Sequence, residues 1–163
     1  MLIRLKNKDT LIAGEFKFRC CIGKNGLKKN KIEGDKSTPK GIFSLGNLYF
    51  REDRVKKTNK KLKIIKIKPN MGWCNDPNHK FYNKEILIKK KIRHEKLYRK
   101  DHKYDYFIII KYNTKNIIPN KGSAIFIHLT NNYSPTVGCI ALKKKDFLIL
   151  LKLINKKTKI KIY

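Results

Sequence analysis

The segment that decides the fold is Ser123-Ala124-Ile125-Phe126-Ile127-His128-Leu129-Thr130, followed by a polar loop over 131–137 and then Gly138-Cys139-Ile140-Ala141-Leu142. An apolar run of strand length delivers a histidine at its end, and a loop containing Pro135 turns the chain back. A Gly-Cys pair then opens a second short apolar run. Two adjacent strands joined in this way would set His128 and Cys139 side by side. Downstream, Phe147, Leu148, Leu151 and Ile154 recur at helical spacing over 144–155. Lys152 and Lys156 lie toward that segment's C-terminal end, where cations suit the helix dipole. The alternation in 158–163 predicts a closing strand.

Upstream, the dominant signal is also that of strands. Residues 104–113 contain Phe107-Ile108-Ile109-Ile110, a run apolar enough for burial on both faces, and 82–88 and 62–68 alternate. Gly72-Trp73-Cys74-Asn75-Asp76-Pro77 reads as a loop. A polar loop over 35–41, shaped by Pro39 and Gly41, precedes a strand at 42–45. Phe16, Phe18 and Cys20 alternate with Lys17, Arg19 and Cys21 ahead of a turn between Gly23 and Gly26. No repeat, low-complexity tract or linker interrupts these elements. The expectation is one mainly β domain over 1–163 with a single helix.

Composition bounds what such a domain does. At 163 residues and 40% hydrophobic content the chain can bury a single core despite 33% charged residues. The net charge of +29 invites a nucleic-acid reading. However, the excess is nearly all Lys, runs from end to end and accompanies a general richness in Ile and Asn. No basic arm or Arg-rich tract concentrates it where a groove-reading element needs it, so no specific nucleic-acid partner is expected. A basic surface still favours polyanions, including anionic polymers of a cell envelope.

The four cysteines, Cys20, Cys21, Cys74 and Cys139, form no disulfide framework, because adjacent Cys20 and Cys21 point to opposite faces of a strand. No CxxC or HxxxH pair supplies zinc ligands, and no cofactor is implied. The N-terminus alternates apolar and charged residues instead of forming a basic cap and apolar core, so no secretory signal is read there. The longest apolar runs are too short to cross a bilayer.

Chemistry centres on Cys139 and His128. A thiolate is the nucleophilic form of cysteine, and a neighbouring imidazole lowers the thiol's pKa or removes its proton. Gly138, lacking a Cβ, admits a substrate carbonyl close to the backbone, where N–H groups around Gly138 and Cys139 can stabilise an oxyanion. A lone Cys/His pair is nonetheless a weak signature. By spacing alone, a buried cysteine beside a satisfied strand histidine fits better. His94-Glu95 reads as solvated surface in a Lys-rich stretch, and His79 and His102 as exposed. Cys74 lacks a preceding strand-end histidine. Trp73 and Asp76 either line a groove or staple a long loop to the core.

Several motifs shift that balance together. Ser37-Thr38-Pro39-Lys40-Gly41-Ile42-Phe43 resembles the Thr-Pro-x-Gly-x-Phe signature of the YkuD-type L,D-transpeptidases, and Ile127-His128 through Gly138-Cys139 resembles their active-site segment. A short-looped branch of the family is closer still. The similarity there includes Gly72-Trp73-Cys74-Asn75-Asp76-Pro77, His94-Glu95, Tyr104-Asp105, Gly122 to His128, and Thr136-x-Gly138-Cys139-Ile140-Ala141-Leu142. The resemblance spans roughly 14–160.

The resemblance implies a mainly β sandwich or open barrel with one helix after the cysteine. It also implies acyl transfer on the tetrapeptide stems of peptidoglycan, with Cys139 as nucleophile, His128 as base and the backbone at Gly138 and Cys139 as oxyanion donor. Trp73, Asp76, Tyr133 and Thr136 are the expected substrate contacts. Three departures bear on substrate choice. Thr136-Val137 stands where the better-known branch has Ser-His, Ala141 stands where it places Arg or Asn, and the His-to-Cys spacing is shorter. Water as acceptor would give a carboxypeptidase, and loss of activity a wall-binding domain. Peptidoglycan as substrate implies the cell envelope, in tension with the absence of a visible export signal.

Overall fold

The computed structural model describes residues 1–58, 61–88 and 92–163. The elements run β1 (Leu2–Lys6), β2 (Thr10–Ala13), β3 (Phe16–Cys21), β4 (Leu27–Lys28), β5 (Thr38–Pro39), β6 (Gly41–Phe50) and β7 (Ile64–Lys66). They continue with β8 (Met71–Cys74), β9 (Glu85–Leu87), β10 (His94–Lys96), β11 (Tyr106–Ile110), β12 (Phe126–Leu129), β13 (Ile140–Leu142), α1 (Lys144–Leu153) and β14 (Lys159–Ile162).

Nine strands form one sheet in the order β11-β12-β13-β3-β2-β1-β14-β6-β7, and a further pairing of β11 with β6 closes it into a barrel. Closure joins the first eight of these strands in a ring and leaves β7 as the edge. The long β6 makes this possible, because its first half pairs with β14 and its second half with β11 and β7. A three-stranded sheet, β10-β8-β9, forms a separate layer.

The apolar runs at 106–110 and 126–129 are continuous because their wall is buried on both faces. Tyr106, Ile108 and Ile110 face the larger core with Ile127 and Leu129, where the α1 residues Phe147, Leu150 and Leu151 also pack. Phe107, Ile109 and Phe126 face a smaller, aromatic core with Tyr49, Trp73, Tyr104 and Cys139. Phe107 packs 4.6 Å from both Tyr49 and Phe126 between ring centroids. Cys139 therefore faces a different core from its neighbour Ile140.

The mainly β fold with one helix after the cysteine is the observed one, and the sheet is a closed barrel. Two expectations need correction. Residues 71–74 are strand β8, buried throughout, where the sequence reads as a loop. Gly72 allows this, since a Cβ there would lie 2.9 Å from the His94 ring on the neighbouring strand. Second, β12 and β13 run parallel, so the 131–137 segment crosses over instead of simply reversing the chain. Several strands are also shorter than their sequence pattern. The helix stops at Leu153, where Ile154 turns extended. All four cysteines are free and buried. Among the described residues no helix is long and apolar enough to cross a membrane.

Candidate active site

His128 pairs with Ala141 across the parallel ladder, which puts Cys139 opposite Phe126. Side chains two residues apart on a strand share a face, so Cys139 and Ala141 project on the same side as Phe126 and His128. His128 and Cys139 are thus diagonal neighbours, and both line a cleft of about 280 Å³.

Three contacts hold the backbone at the cysteine. The Thr38 hydroxyl, fully buried, donates to the Gly138 carbonyl at 2.8 Å and accepts the Gly23 N–H at 2.9 Å. The Thr136 hydroxyl donates to the Cys139 carbonyl at 2.6 Å and accepts the Gly138 N–H at 3.1 Å. Gly138 itself sits at φ +143°, and a Cβ there would lie 2.9 Å from the Ser37 carbonyl oxygen, so only glycine fits. The Thr-Pro segment and the Gly-Cys segment, a hundred residues apart, therefore form one structural unit.

The Cys139 Sγ donates to the Ala124 carbonyl and accepts the Phe126 N–H, each at 3.3 Å. Ala124 adopts a left-handed φ of +53° to present that carbonyl. Burial pushes the Cys139 thiol up to about 12. Burial also lowers His128 to about 4. The resting pair is neutral over the whole range between. His128 Nδ1 lies 2.8 Å from the Leu129 carbonyl. A carbonyl only accepts, so Nδ1 carries the proton and Nε2 is left with its lone pair, the form a general base needs.

A polar network backs the imidazole. The Tyr104 ring packs edge-on to His128 at 5.4 Å, and its hydroxyl donates to Glu95 at 3.1 Å. Arg99 donates to the same Glu95 oxygen at 3.2 Å and to both carboxylate oxygens of Asp101 at 2.9 and 2.7 Å. Glu95, Arg99, Lys103 and Tyr104 all line the cleft. Glu95 is therefore not simple solvated surface, and neither is its neighbour His94, which is half-buried with its ring over Gly72 of β8 and its Nδ1 facing the Ile92 carbonyl. Nothing in the sequence around Arg99 distinguishes it from the neighbouring lysines. Tyr104, the one aromatic closing the Lys-rich stretch before β11, is the signal that points there.

The expected substrate contacts separate into two groups. Thr136 lines the cleft with Cys139. Tyr133 lies on the other side of the same loop, in a groove lined by Arg19 and Cys21, with the Arg19 guanidinium 4.4 Å above its ring. Trp73 is buried in the aromatic core, its Nε1 donating to Asn83 Oδ1 at 2.9 Å, and that oxygen also accepts the Ala124 N–H at 3.1 Å. Trp73 thus braces, through Asn83, the segment before β12 whose Ala124 carbonyl meets the sulfur. Asp76 caps the turn after β8 by accepting the Asn78 N–H at 3.0 Å. Neither Trp73 nor Asp76 is among the residues lining the cleft.

Fold and site together define a closed β-barrel protein in which a buried thiol and a buried neutral imidazole line one cleft. The chain belongs to the YkuD family: the family described as the L,D-transpeptidase catalytic domain matches residues 2–162, essentially the whole chain. At the level of the family this supports an enzyme of the L,D-transpeptidase type acting on peptidoglycan. No curated protein and no solved structure matches it.

Proposed function

We propose that the protein is a cysteine-dependent acyltransferase that uses peptidoglycan tetrapeptide stems as donors. The observation that carries this reading is the diagonal placement of Cys139 and His128 on one face of paired strands, lining a common cleft. His128 Nε2 takes the thiol proton as Sγ attacks the amide carbonyl that follows the diamino acid. The Gly138 N–H is engaged by Thr136, so the oxyanion is assigned to the Cys139 N–H. Collapse breaks the C–N bond, His128 returns the proton to the departing D-alanine nitrogen, and a thioester remains. An amine of a second stem then attacks the thioester, loses a proton to His128 and restores the thiol, which leaves a 3→3 cross-link.

The neutral resting pair supports general-base activation at the moment of attack over a standing thiolate. Peptidoglycan lies outside the cytoplasmic membrane, so we assign the protein to the cell envelope, where its charge of +29 draws it to anionic polymers. Cell fractionation tests the location.

Defined disaccharide tetrapeptides incubated with the protein should give 3→3 dimers and free D-alanine. A carbapenem should leave a covalent mass adduct absent from Cys139→Ala. Free D-alanine without dimers would indicate a carboxypeptidase. Stem binding without turnover or adduct would indicate a wall-binding domain, a reading that the deep burial of Cys139 favours.

A further inference from the structure

The cleft carries one ammonium, that of Lys103, which forms no ion pair among the described residues; the nearby Asp101 carboxylate is held by Arg99. Of the charged groups that line it, Glu95 accepts from both Tyr104 and Arg99, and Arg99 is held by Glu95 and twice by Asp101. Among the described residues no carboxylate pairs with the Lys103 ammonium. Ala141, which also lines the cleft, offers no polar group.

The backbone of Lys103 is held in place beneath an exposed side chain. Its N–H donates to Asp101 Oδ1 at 3.2 Å, and its carbonyl accepts the Leu129 N–H at 3.0 Å, directly beside His128. The backbone of Lys103 thus extends the end of β12, and its side chain stands on the histidine side of the cleft. The remaining polar wall consists of neutral residues, Thr130, Asn132, Ser134 and Thr136, which hold no competing negative charge.

The chemistry specifies what arrives on that side. A group that protonates the leaving nitrogen must lie next to it, so in the proposed reaction the departing amino acid sits against His128. Its carboxylate is separated from that nitrogen by a single carbon. We infer that Lys103 recognises the terminal carboxylate of the departing D-amino acid, which makes it a specificity-determining residue that selects stems ending at the fourth position. The inference rests on the acyl-transfer reading and extends it to the leaving-group side. Recognition by a point charge confers charge selection without demanding one side chain, so D-amino acids other than alanine are also accepted.

The test compares a tetrapeptide stem with a free C-terminal D-alanine carboxylate and the same stem as its C-terminal amide. The parent protein should use the free acid better by roughly tenfold, a charge-assisted contact discounted for solvent exposure. The difference should lie in KM. Lys103→Met should erase the preference by raising KM for the free acid to that for the amide, and Lys103→Arg should retain most of it. Equal use of both stems by the parent, or a preference that survives Lys103→Met, overturns the inference and leaves the acyl-transfer reading intact. Calorimetric binding of the same two stems to Cys139→Ala, with and without Lys103→Met, gives a readout that needs no turnover. Failure of both stems to bind would overturn both readings.

Discussion

Replacing Thr38 by valine isolates the bond that ties the two halves of the site together. Valine matches threonine in shape, so the fully buried position keeps its packing and loses only the hydroxyl. Two buried backbone groups then lose their partner, the Gly138 carbonyl at 2.8 Å and the Gly23 N–H at 2.9 Å. Each orphaned group costs about 1–3 kcal/mol, which sums to about 4 kcal/mol. For a chain of this size that corresponds to a drop in Tm of roughly 10 °C. Thr38→Ser keeps both hydrogen bonds and loses one buried methyl, about 1 kcal/mol. Chemical denaturation of the parent and both variants measures the difference. Carbapenem acylation of the folded fraction should slow more in the valine variant than in the serine variant, because the Gly138 carbonyl fixes the backbone that carries Sγ. A valine variant within about 1 kcal/mol of the parent would refute the claim that Thr38 anchors the catalytic turn.

Gly138→Ala should cost at least about 2 kcal/mol, through left-handed strain and the contact with the Ser37 carbonyl, and should abolish acylation even where the protein remains folded; normal acylation would show that the turn is not fixed. Two pH limbs follow from the neutral pair. His128 is lowered from 6.5 to about 4, so the unfolded chain binds the extra proton first. That stabilisation is whole above pH 6.5 and is lost as pH falls toward 4, about 3 kcal/mol in all, and the loss should be absent in His128→Gln. Cys139 is raised from 9.0 to about 12, so its contribution is whole below pH 9 and is lost as pH rises toward 12. Cys139→Ala should flatten that alkaline limb, and unchanged profiles in both variants would contradict the burial of the pair. Trp73→Phe loses the bond to Asn83 and part of the aromatic core, so stability should fall by about 2 kcal/mol while KM for a stem stays within about twofold. A large rise in KM would place Trp73 in the substrate groove after all.

The readability of this chain divides along a physical line. Elements whose environment is set by short-range periodicity are legible: the helix from Phe147, Leu148, Leu151 and Ile154, the strands at 106–110 and 126–129, and the Gly-Cys turn. The same pattern also singles out Cys139 and His128, because a polar residue that ends or opens an apolar strand is unusual enough to notice. The strand at 71–74 was hidden, since Gly72 and Trp73 look like loop residues until the His94 strand packs against them. The roles of Trp73 and Asp76 were likewise hidden. Whether an indole faces a groove or a core depends on which sheet covers it, and local pattern carries no trace of that.

The sequence by itself determined that the chain is a mainly β domain with a cysteine and a histidine at the ends of consecutive apolar strands, because period-two burial and turn chemistry act over a few residues. Only the tertiary structure decided that these strands run parallel, that β11 and β6 close the barrel, and that Thr38 reaches Gly138. It alone also gathered Glu95, Arg99, Lys103 and Tyr104 around the cleft. Those contacts join residues up to a hundred positions apart, and the burial that neutralises the pair exists only once both cores have formed.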